Sequence, residues 1–333
     1  MRRPELRTLI RWSGPAALLA AFLLLRWFGD QWWPAMPLLY GPRWPLAVLL
    51  LSPLLAHRRG AGRRTGMATA AALLAVMLVL DFRIPWRALL PPWGSPDQVV
   101  RVVSWNAQSR GLNGGATIAA LLELDADLIM VAECGPVIGE ALAETGNFEV
   151  FRTSNICLAS SLPVLGWEAR NPSDFWRAGG SGAIGRLLVE VDGVEVVVGG
   201  VHLETPRDAL NELRFLAVLS FRSEAIKNQD LRDVESSTAR NFIRPADEIR
   251  PTIVAGDFNL VAESRIFRRW WGDLTNAFGH RGAGLGWTKR TRLFGVRIDH
   301  VLSSRDFRVR AARIGEALGS DHHMLVADLE LRN

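Results

Sequence analysis

Three long apolar runs occupy the first quarter of the chain, and they constrain its fold more than any other feature of the sequence. They cover roughly residues 12–28, 37–56 and 67–80. Each approaches the ~20 residues that an α-helix needs to cross a bilayer, although the third run is short. A cleaved signal peptide would account for the first run alone, and a buried helical subdomain of a soluble protein is the other alternative. We predict a membrane region over residues 1–90 with three transmembrane helices.

The charged residues indicate how this region is oriented. Residues 1–97 contain 12 arginines and four acidic residues, whereas residues 98–333 contain 27 basic and 30 acidic residues. Eight of the arginines lie before the first apolar run or between the second and third: Arg2, Arg3, Arg7, Arg11, Arg58, Arg59, Arg63 and Arg64. Because basic loops remain in the cytoplasm, we predict a multi-pass protein of the cell membrane with a cytoplasmic N-terminus and an extracytoplasmic C-terminal domain.

The composition changes after the third run. Residues 91–97 are rich in proline and glycine and are predicted to form a linker, so the C-terminal domain is predicted to span residues 98–333. Short apolar segments that resemble buried strands alternate there with helical patterns, and Asp192-Gly193 predicts a hairpin turn. This alternation predicts an α/β fold with mixed sheets. The net charge of −3 in this domain is opposite to that of a typical nucleic-acid-binding domain.

Polar residues follow the predicted strands at the points where these strands end. Asp257 and Asn259 follow the apolar segment 251–254, and residues two apart in an extended chain point to the same side. Such a pair suits a phosphate ester, although a turn rich in Gly, Asp and Asn would have the same composition for conformational reasons. Gly256 allows a tight turn and the close approach of a ligand. Asn106, Glu133 and His202 lie at the ends of other predicted strands, Asp299 lies within one, and Asp321 and His322 precede the last one.

The order of these short motifs resembles the signature of the endonuclease/exonuclease/phosphatase superfamily, which includes DNase I-like nucleases, sphingomyelinases and inositol-polyphosphate phosphatases. The resemblance extends from Val99 to Leu329. It implies a DNase I-like fold, a four-layer α/β sandwich of two mixed β-sheets flanked by helices.

The resemblance also implies roles for the individual residues. Glu133 is expected to be the main ligand of a divalent metal ion, helped by Asn106, and Asp321 is expected to lie near the ion. Asp257 is expected to activate the attacking water, and Asn259 and His202 to hold phosphoryl oxygens. His322 is expected to face the scissile phosphate, oriented by Asp299. An oxygen-rich set of ligands suits Mg²⁺ or Mn²⁺.

The function predicted from these features is a membrane-anchored, metal-dependent phosphoesterase. The arrangement of apolar runs before this domain is similar to that of bacterial membrane proteins related to the teicoplanin-resistance type, which implies an isoprenoid-lipid pyrophosphate as substrate. An extracytoplasmic nuclease acting on DNA or RNA is the alternative, followed by a non-catalytic binding module. Beyond the substrate and the bilayer, no obligate protein partner is inferred.

The two cysteines, Cys134 and Cys157, do not have the spacing of a metal site. A single disulfide between them is one interpretation, and two small buried apolar side chains are the favoured one.

Overall fold

The computed structural model of the chain describes residues 3–57, 62–87, 99–109, 114–177, 179–213 and 218–332. The predicted linker, residues 91–97, and two arginines of the predicted cytoplasmic loop, Arg58 and Arg59, lie outside the described residues.

The N-terminal region is helical. Its α-helices are α1 (Arg3–Trp27), α2 (Met36–Tyr40), α3 (Leu51–Leu55) and α4 (Gly62–Val79), and its 3₁₀ helices are Gly29–Gln31, Trp33–Ala35 and Trp44–Leu50. Helix α1 packs against α4, and Leu18 is buried in one apolar cluster with the small residues Ala72 and Ala75. Small side chains let two helices approach closely, which is typical of helix packing in membranes.

Helix α1 is the one helix among the described residues that is long and apolar enough to cross a membrane, with a mean hydropathy of 1.6 over Glu5–Trp27. The second apolar run does not form the single helix that we predicted. It is divided into Trp33–Tyr40 and Trp44–Leu55, which meet at 90° and together could make one broken span. Pro42 and Pro45 lie at the bend, and proline disrupts the helical hydrogen bonds there. Length and apolar composition are shared by signal sequences and buried core helices, so three crossings remain a prediction.

The rest of the described chain forms two mixed six-stranded sheets. The first has the order β13-β14-β1-β2-β4-β3 and the second has the order β5-β6-β7-β8-β12-β9. The pairs β1·β2 and β7·β8 are parallel, and the other pairs are antiparallel. The strands of the first sheet are β1 (Val99–Asn106), β2 (Leu128–Ala132), β3 (Glu149–Thr153), β4 (Ile156–Ser160), β13 (Phe307–Ile314) and β14 (Leu325–Leu331). Those of the second are β5 (Val164–Ala169), β6 (Ala183–Val191), β7 (Val194–His202), β8 (Thr252–Asp257), β9 (Thr275–Asn276) and β12 (Asp299–Ser303), and β10 (Lys289–Arg290) and β11 (Gly295–Val296) form a separate hairpin.

Helices cover the outer faces of both sheets, which confirms the predicted four-layer sandwich. Along β1, Val102 points into the core between the sheets, whereas Val103 points outwards to the helices, as the alternation of a strand requires. The helices are α5 (Gly114–Leu122), α6 (Pro136–Glu144), α7 (Ser173–Trp176), α8 (Arg207–Glu212), α9 (Val218–Ile243), α10 (Arg265–Trp271) and α11 (Ala277–Arg281).

The N-terminal helices pack directly on the sandwich. Leu39 and Tyr40 are buried in one apolar cluster with Phe221 of α9 and with Val261 and Ile298, which lie in the loops beside β8 and β12. We call this cluster, with the polar contacts around it, the docking interface. Because this interface lies next to the ends of β8 and β12, it places the N-terminal helices near the site described below.

Charged residues reinforce the docking interface. Arg43 forms an ion pair with Glu263, and Arg297 forms an ion pair with Asp81. These two pairs line a cavity of about 40 Å³ between the N-terminal region and the β10–β11 hairpin. Asp30 accepts hydrogen bonds from Ser264 and from the backbone of Arg265. Because both members of each ion pair are largely buried, removal of either one would leave a buried charge without its partner.

Cys134 and Cys157 form a disulfide, so the interpretation that favoured two unpaired thiols is wrong. The two Cα atoms are 5.8 Å apart, within the range for a disulfide. Cys134 follows β2 closely and Cys157 lies on β4, which pairs with β2. Sequence spacing did not indicate the bond, because it does not show which strands are neighbours.

Candidate active site

The eight site residues predicted from the sequence meet at one edge of the sandwich. Topology explains why. Parallel strands β1 and β2 end at this edge, and so do β7 and β8 of the other sheet. Strands β12 and β14 run in the opposite direction and start there, so Asp299 pairs directly with Asp257. The eight residues are Asn106, Glu133, His202, Asp257, Asn259, Asp299, Asp321 and His322.

Asn106 connects the two sheets across this edge. Its Nδ2 donates to Glu133 Oε1 at 3.1 Å and to Asp257 Oδ2 at 2.9 Å. Its Oδ1 accepts the backbone N–H of Gln108 at 2.9 Å, which fixes the orientation of the amide. Asn106 therefore presents a donor to the two carboxylates and holds both in place.

Asp299 and His322 form a buried pair. His322 Nδ1 lies 2.8 Å from Asp299 Oδ2, and both side chains are almost completely excluded from solvent. The backbone of His322 is fixed as well, because its N–H donates to Ser320 Oγ and its carbonyl accepts from Trp105 Nε1. The imidazole is thus oriented with Nε2 towards Asp257 Oδ2, 3.9 Å away.

Burial and neighbouring charge determine protonation at this pair. Burial alone would lower the pKa of His322, but the charge of Asp299 and its hydrogen bond outweigh burial and raise it. Burial would likewise raise the pKa of Asp299, but His322 holds it below its usual range. Burial and the charge of Asp299 together raise the pKa of Asp257. The site therefore combines a charged histidine–aspartate pair with a carboxylate that readily accepts a proton.

Asp257 and Asn259 are linked by the turn after β8. Asp257 Oδ1 accepts the backbone N–H of Asn259, and Asn259 Nδ2 donates to the carbonyl of Leu203 at 2.7 Å. An amide nitrogen has two N–H groups, so the second remains available for a ligand. The close approach at Gly256 is to protein and not to a ligand, because a Cβ there would collide with the carbonyl of Val201 on β7.

Backbone strain is concentrated at the same edge. Glu133 has φ of 48° and Asn259 has φ of 50°, in the left-handed region that residues other than glycine rarely adopt. Strain of this kind is found frequently at functional sites, where the surrounding structure holds it.

Two further polar residues belong to the site, although the sequence did not indicate them. Asn155 Nδ2 lies 3.0 Å from His202 Nδ1, and His202 Nε2 lies 3.9 Å from Glu133 Oε1. Lys289 Nζ lies 2.9 Å from both carboxylate oxygens of Asp321 and 2.9 Å from His322 Nε2. Neither residue ends a long strand, so strand-end reasoning could not find it.

The donor set fits a hard divalent cation. Glu133 and Asp257 contribute carboxylates, and the side chain of Glu133 is 31% exposed and therefore accessible to an ion. Within the described part of the chain, Asp257, Asp299 and His322 form a buried group whose ligand-type atoms lie within 4.8 Å of one another. His322 Nδ1 and Asp299 Oδ2 already contact each other, so Glu133 is more readily available than this pair as a ligand for an ion.

Solved structures have the same fold at low sequence identity. The chain is similar to TDP2 of D. rerio in complex with a single-stranded DNA product, with 16% identity, 70% of this chain and 100% of that chain covered, and a TM-score of 0.55. It is also similar to an endonuclease/exonuclease/phosphatase of Beutenbergia cavernae, with 18% identity, coverage of 71% and 72%, and a TM-score of 0.52. A third similar structure, a family protein from Bacteroides thetaiotaomicron, has 13% identity, coverage of 71% and 98%, and a TM-score of 0.51.

A search of curated proteins finds no match. A family model does match, and it covers the part of the chain that carries the site. The model of the endonuclease/exonuclease/phosphatase family aligns with residues 103–322, about two thirds of the sequence. The chain therefore belongs to the endonuclease/exonuclease/phosphatase family and is a phosphoester-hydrolysing enzyme.

Proposed function

We propose that the protein is a membrane-anchored, divalent-metal-dependent phosphoesterase that hydrolyses a phosphate ester or pyrophosphate of an envelope lipid. The observation that carries the proposal is the hydrogen-bonded row Glu133–Asn106–Asp257 beside the Asp299–His322 pair. This arrangement provides a metal ligand, a base for water and a cationic donor around one point.

Glu133 would hold Mg²⁺ or Mn²⁺, with Asp321 near the ion, and Asn106 would orient Glu133 through its Nδ2. The ion, when bound, polarises the phosphoryl group. The oxygen-rich character of the donors would suit such an ion.

The side chains of the site supply the base and the hydrogen-bond donors that hydrolysis requires. Asp257 takes the proton of the attacking water, and the direction of its pKa shift favours this transfer. His322, held in its charged form by Asp299, donates to a phosphoryl oxygen or to the leaving oxygen. His202, at the end of β7, and Asn259, after β8, supply further donors from the sheet that carries Asp257.

The N-terminal region supports a lipid substrate. Of the 30 large hydrophobic side chains exposed among the described residues, 20 belong to residues 3–87. An apolar surface of this extent is expected to be shielded from water, and lipid is a suitable environment for it. The docking interface brings this surface next to the loops of Asp257 and Asp299. A lipid headgroup in the adjacent leaflet would then be close to the site.

The disulfide supports an extracytoplasmic location for the sandwich, because such bonds persist in oxidising compartments. A reporter fused after residue 333 tests this part of the proposal. Activity of a periplasmic reporter, such as an alkaline phosphatase, supports it, whereas activity of a cytoplasmic reporter alone contradicts it.

A nuclease is the second candidate. The observation that favours it is the similarity to a structure that contains a single-stranded DNA product. The mild negative charge of residues 98–333 argues against it, since a nucleic-acid-binding surface is usually basic.

The full chain in detergent or liposomes separates the two. We would measure phosphate release from an isoprenoid-lipid pyrophosphate and cleavage of plasmid and single-stranded DNA, with Mg²⁺ and with chelator. Asp257→Asn is the test variant, and Asp247→Asn, at an exposed position, is the matched control. Metal-dependent lipid turnover that Asp257→Asn reduces by about 10²-fold or more supports the proposal. DNA cleavage without lipid turnover supports the nuclease instead.

A further inference from the structure

Lys289 is a cation inside the site that the proposed mechanism does not yet use. It begins β10, and its side chain is only 16% exposed. Its backbone forms a bridge to His322, and β10 pairs with β11, so the position of the residue is fixed from two directions. A flexible surface lysine would have neither constraint.

The ammonium group of Lys289 lies next to His322 Nε2, the atom that is expected to contact the substrate. His322 Nδ1 is bonded to Asp299, which leaves Nε2 to face the scissile phosphate. Lys289 Nζ is 2.9 Å from this Nε2. When His322 is charged, its Nε2–H and the Lys289 ammonium are both donors and cannot bond to each other, so a phosphoryl oxygen placed between them can accept from both.

Lys289 has the donors for such a contact. An ammonium group has three N–H donors on a flexible stem, and Asp321 engages the group through its two carboxylate oxygens. Asp321 is half-buried and points the ammonium towards His322. The Lys289 ammonium is therefore preorganised to bind an anionic group.

We propose that Lys289 binds a phosphoryl oxygen of the substrate and selects a phosphorus that carries two negative charges over one that carries a single charge. A terminal phosphate, either a monoester or the end of a pyrophosphate, has two such charges near neutral pH, whereas a phosphodiester has one. This inference rests on the proposed phosphoesterase function, and it narrows the substrate class to terminal phosphates.

The test compares two substrates with the same leaving group, p-nitrophenyl phosphate and bis-p-nitrophenyl phosphate. The full chain is used in detergent with Mg²⁺, as wild type, Lys289→Met and Lys289→Arg. The matched control is Arg292→Met, an exposed position on the same hairpin. Thermal unfolding of each variant establishes that it folds.

We expect Lys289→Met to lower kcat/KM for the monoester about 10- to 100-fold, as expected for loss of a hydrogen bond to a charged group, and for the diester less than about threefold. Lys289→Arg should retain part of the monoester activity, and Arg292→Met should change neither. Equal losses on both substrates, or an unchanged monoester rate, would overturn the inference.

Binding of inorganic phosphate separates this inference from the proposed function. If wild type hydrolyses neither these two substrates nor the isoprenoid-lipid pyrophosphate, the proposed function fails, and phosphate binding in the presence of Mg²⁺ then decides about Lys289. Phosphate binding that is about tenfold weaker in Lys289→Met supports the anion site. Equal phosphate binding by the two proteins overturns it.

Discussion

The two histidines of the site are held by different partners. A carboxylate, Asp299, holds His322, whereas a neutral amide, Asn155, holds His202. The carboxylate raises the pKa of His322 and favours its charged form. The bond from Asn155 Nδ2 to His202 Nδ1 leaves the N–H on Nε2, which faces Glu133. His202 is thus arranged as a fixed donor, and Asn155 is its positioning residue.

Asn155→Leu removes this bond with little change in side-chain volume. We expect kcat/KM to fall about tenfold, the usual range for loss of one orienting hydrogen bond, because the His202 ring can then rotate. Asn155→Asp should not preserve this arrangement, because a carboxylate can only accept from Nδ1, so a neutral His202 ring would then carry no N–H on Nε2. Steady-state kinetics of both variants are the measurement, and Asn147→Leu, at an exposed position, is the control. Equal activity in Asn155→Leu and wild type would contradict the role.

Sequence reasoning found some of these residues and missed others for a physical reason. Asp257 is the last residue of a buried apolar strand and Glu133 directly follows one, and such positions can be recognised in the sequence. Lys289 reaches the site because a two-residue strand forms a bridge to His322, 33 positions away. Such pairing depends on the tertiary structure, and no local pattern around Lys289 indicates it.

At the scale of elements, Glu235 of α9 holds the loop before β6 to the segment after β7. Its carboxylate accepts the backbone N–H groups of Gly182 and Glu204. Burial raises its pKa to about 7 from the ordinary value of 4.5. The helix is therefore connected to the loop by an acid that titrates near neutral pH.

This shift predicts a dependence of stability on pH. Below pH 4.5 the carboxyl is protonated in both the folded and unfolded chain, so it has no effect. Between pH 4.5 and about 7 the unfolded chain ionises first, so the free energy of unfolding falls as pH rises. The total loss is about 3 kcal/mol, from 1.36 kcal/mol per unit of pKa.

Thermal unfolding of the detergent-solubilised chain from pH 4.5 to 8 measures this effect. Glu235→Gln should flatten the profile between pH 4.5 and 7, whereas Glu144→Gln, at an exposed position on α6, should leave it unchanged. A profile in Glu235→Gln identical to that of wild type would show that other groups cause the dependence.

The disulfide stabilises the part of the first sheet that carries Glu133 and Asn155. Cys134 and Cys157 are 23 positions apart, and a loop of this size corresponds to about 3 kcal/mol of stability. The backbone N–H of Cys134 also donates to the carbonyl of Asn155. We expect a reductant to lower the melting temperature of wild type but not of the double Cys134→Ser, Cys157→Ser variant. An unchanged melting temperature of the reduced wild type would contradict this stabilisation.

Elements were easier to predict than their connections. The Asp192-Gly193 hairpin is present as β6 and β7, because turn chemistry is local. Helix α9 (Val218–Ile243) continues through a largely polar segment after residue 228. Buried contacts with the sandwich and with Tyr40 stabilise that segment, and such contacts are not visible in composition.

At the scale of the whole molecule, the docking interface joins the N-terminal helices to the sandwich. Arg232 of α9 is fully buried, donates to the hydroxyl of Tyr40 and lies 5.0 Å from the centre of its ring. This contact and the Arg43–Glu263 and Arg297–Asp81 pairs connect buried charges of the sandwich to the N-terminal region. The stability of the sandwich therefore depends on that region.

Removal of residues 1–97 should therefore destabilise the sandwich. It would expose Phe221 and Val261 and leave Glu263 and Arg297 buried without their partners. We expect residues 98–333 alone to aggregate or to melt more than about 10 °C below the full chain, since breaking one such buried pair costs about 3–5 kcal/mol. Differential scanning fluorimetry of both forms tests this.

A point substitution tests the same interface in the full chain. Leu39→Ala, at a fully buried position, should cost about 2–5 kcal/mol, whereas Leu19→Ala, which is 47% exposed on α1, should change stability little. A stable, monodisperse fragment together with a neutral Leu39→Ala would show that the interface contributes little.

The docking interface also fixes the distance between the site and the N-terminal helices. Val261 and Ile298 belong to the loops that carry Asn259 and Asp299, so side-chain packing, and not the length of the connecting chain, sets the distance between the site and the N-terminal helices. Extra residues inserted between positions 87 and 99 would not increase that distance. With the proposed membrane anchor, turnover would depend on the surface density of substrate in the bilayer, because enzyme and headgroup would meet by diffusion in two dimensions.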